Sequence, residues 1–310
     1  MSSDQQPPRA PTVPLPPGLS IVDIHTHVSY HGYSIDDAVR NMDEQGIAKA
    51  WLLTWEAPYD EYGAGDHRYM SPYQVGIPFD DVVKATERYP DRFVAGWAID
   101  PRRPQAIDRL RSAVEMHKVR VYGELKLRLM YDDLDLIGMY RVCGELGLPV
   151  LFHLEIEKPN PGGRATGTAA LGGRPYWYGG EFDVVERFLS RCPETSFIGH
   201  APGFWREMSG DATTAGDMYP RGPVQPGGRL TALLDRYPNL YCDLSAESGL
   251  NALGRDPSNA REFLLRYQDR ALFGRDYWDA RLSRFLATLD LPVEVLGKIV
   301  SGNARRLVGD

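Results

Sequence analysis

Apolar and polar positions alternate along this chain in two rhythms that take turns. Short, nearly unbroken apolar runs recur at 21–27, 48–54, 93–100, 122–127, 149–154, 195–200, 240–245 and 271–276. Continuous runs of this length suit parallel strands buried on both faces rather than strands with one wet face. Between them lie amphipathic stretches of helical period. Ser34 and Asp37 open the first as a capping-box variant; Ile35, Ala38, Val39 and Met42 form its stripe, and Gly46 closes it. Leu136, Met139, Tyr140 and Cys143 repeat the stripe before the fifth run. Further helices are expected over 79–89, 104–117, 181–191, 228–237 and 258–268, with two more near 280–289 and 293–308.

Eight strand–helix alternations predict an α/β fold, a single (β/α)8 TIM barrel over residues 21–310 with a C-terminal helical tail. An open doubly wound sheet is the competing architecture, but no Gly-x-Gly-x-x-Gly follows the first strand. Residues 1–20 are rich in Pro, Ser and Gln and read as a flexible N-terminal arm. Three strand-to-helix connections are long, 55–78, 156–180 and 201–227, and carry aromatic and arginine residues that suit the walls of a pocket.

Composition narrows the function. The 310 residues are 43% hydrophobic and 25% charged, with a net charge of −7. Such a balance, without a Lys/Arg block, argues against a nucleic-acid partner. No apolar run is long enough for a membrane span. Cys143, Cys192 and Cys242 are widely spaced and form no C-x-x-C pair, so buried reduced thiols in a cytoplasmic protein are expected.

The chemistry sits at the ends of the apolar runs. Ile21-Val-Asp-Ile-His-Thr-His27 ends in His-x-His, and residues two apart on a strand share a face. His153, His200 and Asp276 each terminate another run. In a barrel these strand ends open onto one mouth, where four imidazoles and a carboxylate would suit Zn²⁺, and also Mn²⁺, Fe²⁺ or Co²⁺. Glu124 and Lys126 end the fourth strand two apart, as an interior ion pair, a substrate contact or, with Lys126 carboxylated, a metal bridge. Arg128, Arg164, Arg174 and Arg206 are candidate anchors for an anionic substrate.

These marks together resemble the amidohydrolase superfamily, in the branch that includes aminocarboxymuconate-semialdehyde decarboxylase and related aromatic-acid decarboxylases. The matching segments are Asp23-Ile-His-Thr-His27, Leu148-Pro-Val-Leu-Phe-His153, Phe197-Ile-Gly-His200, Leu272-Phe-Gly-Arg-Asp276 and Ser301-Gly-Asn-Ala-Arg-Arg-Leu307. The resemblance implies one divalent ion, zinc first, held by His25, His27, His153 and Asp276, with His200 off the metal in acid–base work. It also implies a homodimer. Two positions depart from the branch: Arg275 stands where Ser or Thr is usual before the final Asp, and His25 stands where its decarboxylases often carry Glu. The second departure favours hydrolysis.

The expected activity is therefore opening of an amide, ester or lactone-like bond of a small molecule by metal-activated water. Asp276 and His200 are the expected catalytic groups. Glu124, Lys126, Arg128, Trp177, Trp205 and Arg206 are the expected contacts for a substrate bearing a carboxylate. The competing reaction is metal-dependent non-oxidative decarboxylation or hydration of a small hydroxy acid. Lys126 is expected as an unmodified cation facing the pocket. His31 is expected either at the pocket mouth or in a solvated loop, His67 and His117 are expected outside the chemistry, and Asp243 and Glu247 are expected chiefly as caps of the segment after the seventh strand.

Overall fold

The structure, a computed structural model, describes residues 15–16, 18–28, 33–56, 77–127, 129–155, 179–212 and 218–310. Strands and helices come in the order β1 (Ile21–Thr26), α1 (Ile35–Gln45), β2 (Ile47–Leu52), α2 (Phe79–Arg88), β3 (Phe93–Ala95), α3 (Ala106–His117), β4 (Tyr122–Leu125) and α4 (Leu134–Leu146). The second half continues with β5 (Val150–His153), α5 (Phe182–Arg191), β6 (Phe197–His200), α6 (Pro202–Trp205), α7 (Arg229–Arg236) and β7 (Leu240–Asp243). It ends with α8 (Ala246–Gly254), α9 (Pro257–Arg266), β8 (Ala271–Leu272), α10 (Arg281–Ala287), α11 (Val293–Gly297) and α12 (Asn303–Val308).

Local chemistry explains α1 well. The Ser34 hydroxyl accepts from the Asp37 amide at 3.2 Å while the Asp37 carboxylate accepts from the Ser34 amide at 2.9 Å. Gly46 then leaves the helix at φ 68°, a conformation that favours glycine. The expected 293–308 helix is divided: a wider turn over Lys298–Gly302 separates α11 from α12.

All strand pairs are parallel, in the order β1-β2-β3 and β4-β5-β6-β7-β8. Backbone hydrogen bonds bridge both gaps between these sheets. Arg120 N donates to Ala95 O and Trp97 N to Val121 O, each at 2.9 Å, joining β3 to β4. Ile24 N donates to Phe273 O at 3.0 Å, joining β8 to β1. The strands thus form the TIM barrel. Val22, Ile24, Trp51, Leu53, Val94, Val121, Leu151, Ile198 and Leu272 pack into one interior cluster with Ala304 of α12. A separate, larger cluster fills the layer between strands and helices.

Three sequence expectations change here. The 201–227 connection is not simply a loop, because α6 and a further turn at Arg206–Met208 begin it directly after β6. Helix α8 follows β7 where no helix was expected. Leu15, in the N-terminal arm, is 8% exposed and joins the core, so that end of the arm packs on the barrel. The rest of the 55–78 and 156–180 connections, beyond residues 55–56, 77–78, 155 and 179–180, lies outside the described residues.

Candidate metal centre

Seven buried side chains, His25, His27, Glu124, His153, His200, Asp243 and Asp276, meet where the C-terminal ends of β1, β4, β5, β6, β7 and β8 converge. His25 and His27 come from β1, and their Nε2 atoms lie 3.3 Å apart. Glu124 Oε2 is 3.5 Å from His25 Nε2 and 3.4 Å from His27 Nε2. Asp276 Oδ1 is 3.6 Å and 3.5 Å from the same two nitrogens. Strand register is irregular between Asp23 and Thr26 and between Tyr122 and Leu125, the stretches that carry His25 and Glu124. Such irregularities re-aim side chains at barrel rims. Asp276 sits at φ 60°, in the left-handed region, with its amide bonded to His25 O at 2.8 Å.

The partners of each ring settle its orientation. His27 Nδ1 faces the Leu53 carbonyl at 3.0 Å. A carbonyl only accepts, so Nδ1 carries a proton and Nε2 points at the carboxylates. His153 Nδ1 lies 2.8 Å from Glu124 Oε1, and its Nε2 is 3.5 Å from Glu155 Oε2. His200 Nε2 is 3.9 Å from both Glu124 Oε1 and Asp276 Oδ2. Lys126 Nζ is 2.9 Å from Glu124 Oε2 and stands 4.3 Å over the Trp55 ring.

Burial opposes charge on Glu124, Asp243, Asp276, His25, His27 and His200, yet the cluster keeps its carboxylates ionised. Lys126 and His25 hold Glu124 well below the usual carboxylate range against that burial. His25, His27 and Lys126 do the same for Asp276, and His25 and His200 for Asp243. Burial pushes His25 and His27 down, but the facing carboxylates outweigh it and hold both above the usual imidazole value. His200 moves the other way: burial, then the neighbouring His25, lowers it, so it is neutral near pH 7. The pocket therefore carries a negative field that calls for positive charge beside His25 and His27.

The residues fit a divalent cation. A tetrahedral site with N and O ligands about 2.0–2.2 Å from zinc has ligand–ligand edges of roughly 3.3–3.6 Å. The five contacts among His25 Nε2, His27 Nε2, Glu124 Oε2 and Asp276 Oδ1 span 3.3–3.6 Å. Asp276 Oδ1 is buried and, among the described residues, accepts no hydrogen bond, as expected of an atom aimed at an ion.

A family model for amidohydrolases matches residues 22–309. The chain belongs to the amidohydrolase family. No curated protein matches its sequence. Among solved structures, 5-carboxyvanillate decarboxylase from Novosphingobium aromaticivorans, complexed with manganese and 4-hydroxy-3-methoxy-5-nitrobenzoic acid, is similar in fold. The TM-score is 0.60 at 14% identity, covering 94% of this chain and 97% of that one. The 2,6-dihydroxybenzoate decarboxylase from Rhizobium gives 0.56 at 17% identity, covering 94% and 99%. A probable 2-pyrone-4,6-dicarboxylic acid hydrolase from Acinetobacter baumannii, with citric acid bound, gives 0.57 at 12% identity, covering 94% and 100%.

In this amidohydrolase the expected residues sort into three groups. His25, His27, His200, Asp276, Glu124 and Lys126 are brought together as described. His153 joins them with Nδ1 2.8 Å from Glu124 Oε1, while Glu124 Oε2 lies 3.5 Å and 3.4 Å from His25 and His27 Nε2. Trp205 and Arg206 lie elsewhere. The Trp205 ring is buried behind β7, its Nε1 donating to Asp243 O at 2.8 Å, because α6 turns it inward directly after β6. Arg206 pairs with Glu207 at 3.4 Å and borders a small cavity with Met208, Met218 and Arg255. Arg128 and Trp177 lie outside the described residues, as do Arg164, Arg174, His31 and His67.

Asp243, expected to cap, is instead fully buried at the cluster. Its signal in the sequence was its place near the end of an apolar run, close to the mark that singled out Asp276. Glu247 is paired with Arg281 on α10, at the surface. No described helix is long and apolar enough to cross a membrane.

Proposed function

We propose that this amidohydrolase is a metal-dependent hydrolase that opens an amide, ester or lactone-like bond in a small, carboxylate-bearing molecule. The observation that carries the reading is the buried His25–His27–Asp276 group, whose ligand atoms lie 3.3–3.6 Å apart, with Glu124 Oε2 3.4–3.5 Å from both imidazoles. A divalent ion held there supplies Lewis-acid polarisation of a carbonyl and a water acidic enough to react near neutral pH.

One ion suits the charge around it. Glu124, Asp243 and Asp276 contribute three negative charges and Lys126 one positive, leaving two to neutralise while the imidazoles stay neutral. Asp23, the next carboxylate along β1, is already matched by Arg275 at 2.7 Å.

The remaining groups move protons and hold substrate. Asp276 commits Oδ1 to the ligand set and keeps Oδ2 to take a proton from the attacking water. His200, neutral and with Nε2 3.9 Å from that oxygen, relays the proton to the leaving group. His153 holds Glu124 by its other oxygen at 2.8 Å, which fixes the ligand's direction. Lys126, steadied on Trp55, presents a cation to a substrate carboxylate.

Non-oxidative decarboxylation of a hydroxy acid is a second reading. It is favoured by the fold's likeness to the two aromatic-acid decarboxylases. Product analysis in ¹⁸O-labelled water separates the two on a panel of lactones, amides and hydroxybenzoates. Hydrolysis predicts one labelled oxygen in the product. Release of CO₂ with no label incorporated overturns it.

A further inference from the structure

We propose that Asp243 and Ser245 form a shared positioning pair that fixes the tautomers of both His25 and His200. One carboxylate thereby aligns the imidazole that holds the ion and the imidazole that carries the proton. The proposal rests on the metal-dependent reading above.

The geometry is a chain of three contacts meeting on one oxygen. Asp243 Oδ2 lies 2.7 Å from His25 Nδ1 and 3.1 Å from His200 Nδ1. The Ser245 hydroxyl donates to the same oxygen at 2.8 Å and lies 3.1 Å from His200 Nδ1. Asp243 Oδ1 accepts from the Ser245 amide at 2.9 Å, which locks the carboxylate plane. All four groups are buried, so no water competes for these bonds.

Counting protons leaves one consistent arrangement. An ionised carboxylate only accepts, so His25 Nδ1 must donate to it. The single Ser245 hydroxyl proton is spent on Asp243 Oδ2, so toward His200 that oxygen can only accept. His200 Nδ1 then donates to Ser245 Oγ, to Asp243 Oδ2, or to both. With both imidazoles neutral, as beside a bound divalent ion, each ring is thereby held as its Nδ1–H tautomer with a bare Nε2 facing the cluster. That is the form a metal ligand and a general base each require.

The chain makes room for this carboxylate. A side chain at Gly274 would place its Cβ 2.6 Å from Asp243 Oδ1 and 3.1 Å from Cβ of both His25 and Ser245. Only glycine leaves Asp243 its position between β7 and β8. Trp205 braces the same residue from behind through the Asp243 carbonyl.

An asparagine at 243 offers one acceptor end where the carboxylate has two. If its oxygen serves the Ser245 amide, its NH₂ faces His25 Nδ1 and drives the proton to Nε2. The Ser245 hydroxyl also lies 3.3 Å from His25 Nδ1, but that nitrogen keeps its shorter 2.7 Å contact with Asp243, so loss of the hydroxyl disturbs His200 more than His25. The test uses the full-length, zinc-loaded protein and the variants Asp243→Asn and Ser245→Ala. Zinc affinity is read by competition with a chromophoric chelator, and imidazole tautomers by ¹⁵N NMR, with circular dichroism to verify folding. Asp243→Asn is expected to weaken zinc by about 10–100-fold and to lose the Nδ1–H signature of His25. Ser245→Ala is expected to keep zinc affinity and the His25 signature while shifting His200 toward mixed tautomers. Wild-type His200 protonated on Nε2, or an Asp243→Asn protein with unchanged zinc affinity and unchanged His25 signals, overturns the proposal. A wild-type protein that takes up no divalent ion refutes the metal-dependent reading instead. The His200 tautomer, compared between wild type and Asp243→Asn, still decides the positioning role in that case.

Discussion

Arg275 and Asp23 form a buried ion pair that stitches β8 to β1 directly beneath the candidate metal centre. Arg275 Nε lies 2.7 Å from Asp23 Oδ2, its amide lies 3.0 Å from Asp23 Oδ1, and its guanidinium also reaches Asn41 Oδ1 at 2.7 Å. Each partner is one or two residues from a proposed ligand, Asp276 on one side and His25 on the other. The pair therefore sets the spacing of the two strand ends that the ion must bridge. Arg275→Ala should strand Asp23 as an unpaired buried charge and cost about 3–5 kcal/mol of stability. Denaturant unfolding measures it. A change of a few tenths of a kcal/mol would show that the pair does not hold this seam.

The ligand assignment separates Glu124 from His153. His25→Ala, His27→Ala and Glu124→Gln should each leave a folded barrel that has lost its divalent ion. His153→Ala should retain the ion, because its Nδ1 faces Glu124 rather than the ligand set. Elemental analysis of the purified variants reads this directly. A metal-free His153→Ala with a metal-replete Glu124→Gln would restore the ligand set implied by the family resemblance.

His200→Asn should keep the ion and slow turnover by about 10²–10⁴-fold, the usual worth of a positioned acid–base group. Loss of metal in step with activity would place His200 among the ligands.

The three thiols should be inert in the folded protein. Burial raises Cys143, Cys242 and Cys192, so each needs a pH above the ordinary thiol value before it forms the reactive thiolate. An aromatic disulfide reagent at pH 8 should therefore titrate none of them quickly until denaturant is added, and then all three. Rapid native reaction would mean that one of these sites opens.

Deleting residues 1–17 removes Leu15 from the core. Loss of one buried leucine contact costs roughly 1.5–3 kcal/mol at most. The truncated protein should melt a few degrees lower yet keep its metal. An unchanged Tm would return the whole arm to the flexible tail that its composition suggested.

Much of this molecule follows from local pattern alone. The strand-and-helix alternation, the Ser34–Asp37 cap with Gly46, and the His and Asp residues at strand ends are all set by neighbours within a few positions. Periodicity and capping are properties of adjacent residues, so they can be read without knowing the fold. Which strand-end groups meet one another is a different matter. Glu124 rather than His153 stands beside His25 and His27 because irregular register in β1 and β4 re-aims their side chains. Asp243 serves two histidines rather than a helix because β6, β7 and β1 bring His200 and His25 to it from 43 and 218 positions away. Trp205 turns away from the mouth because a short helix follows β6 at once. Each of these depends on how strands meet across the barrel, and no spacing along the chain encodes a direction in space.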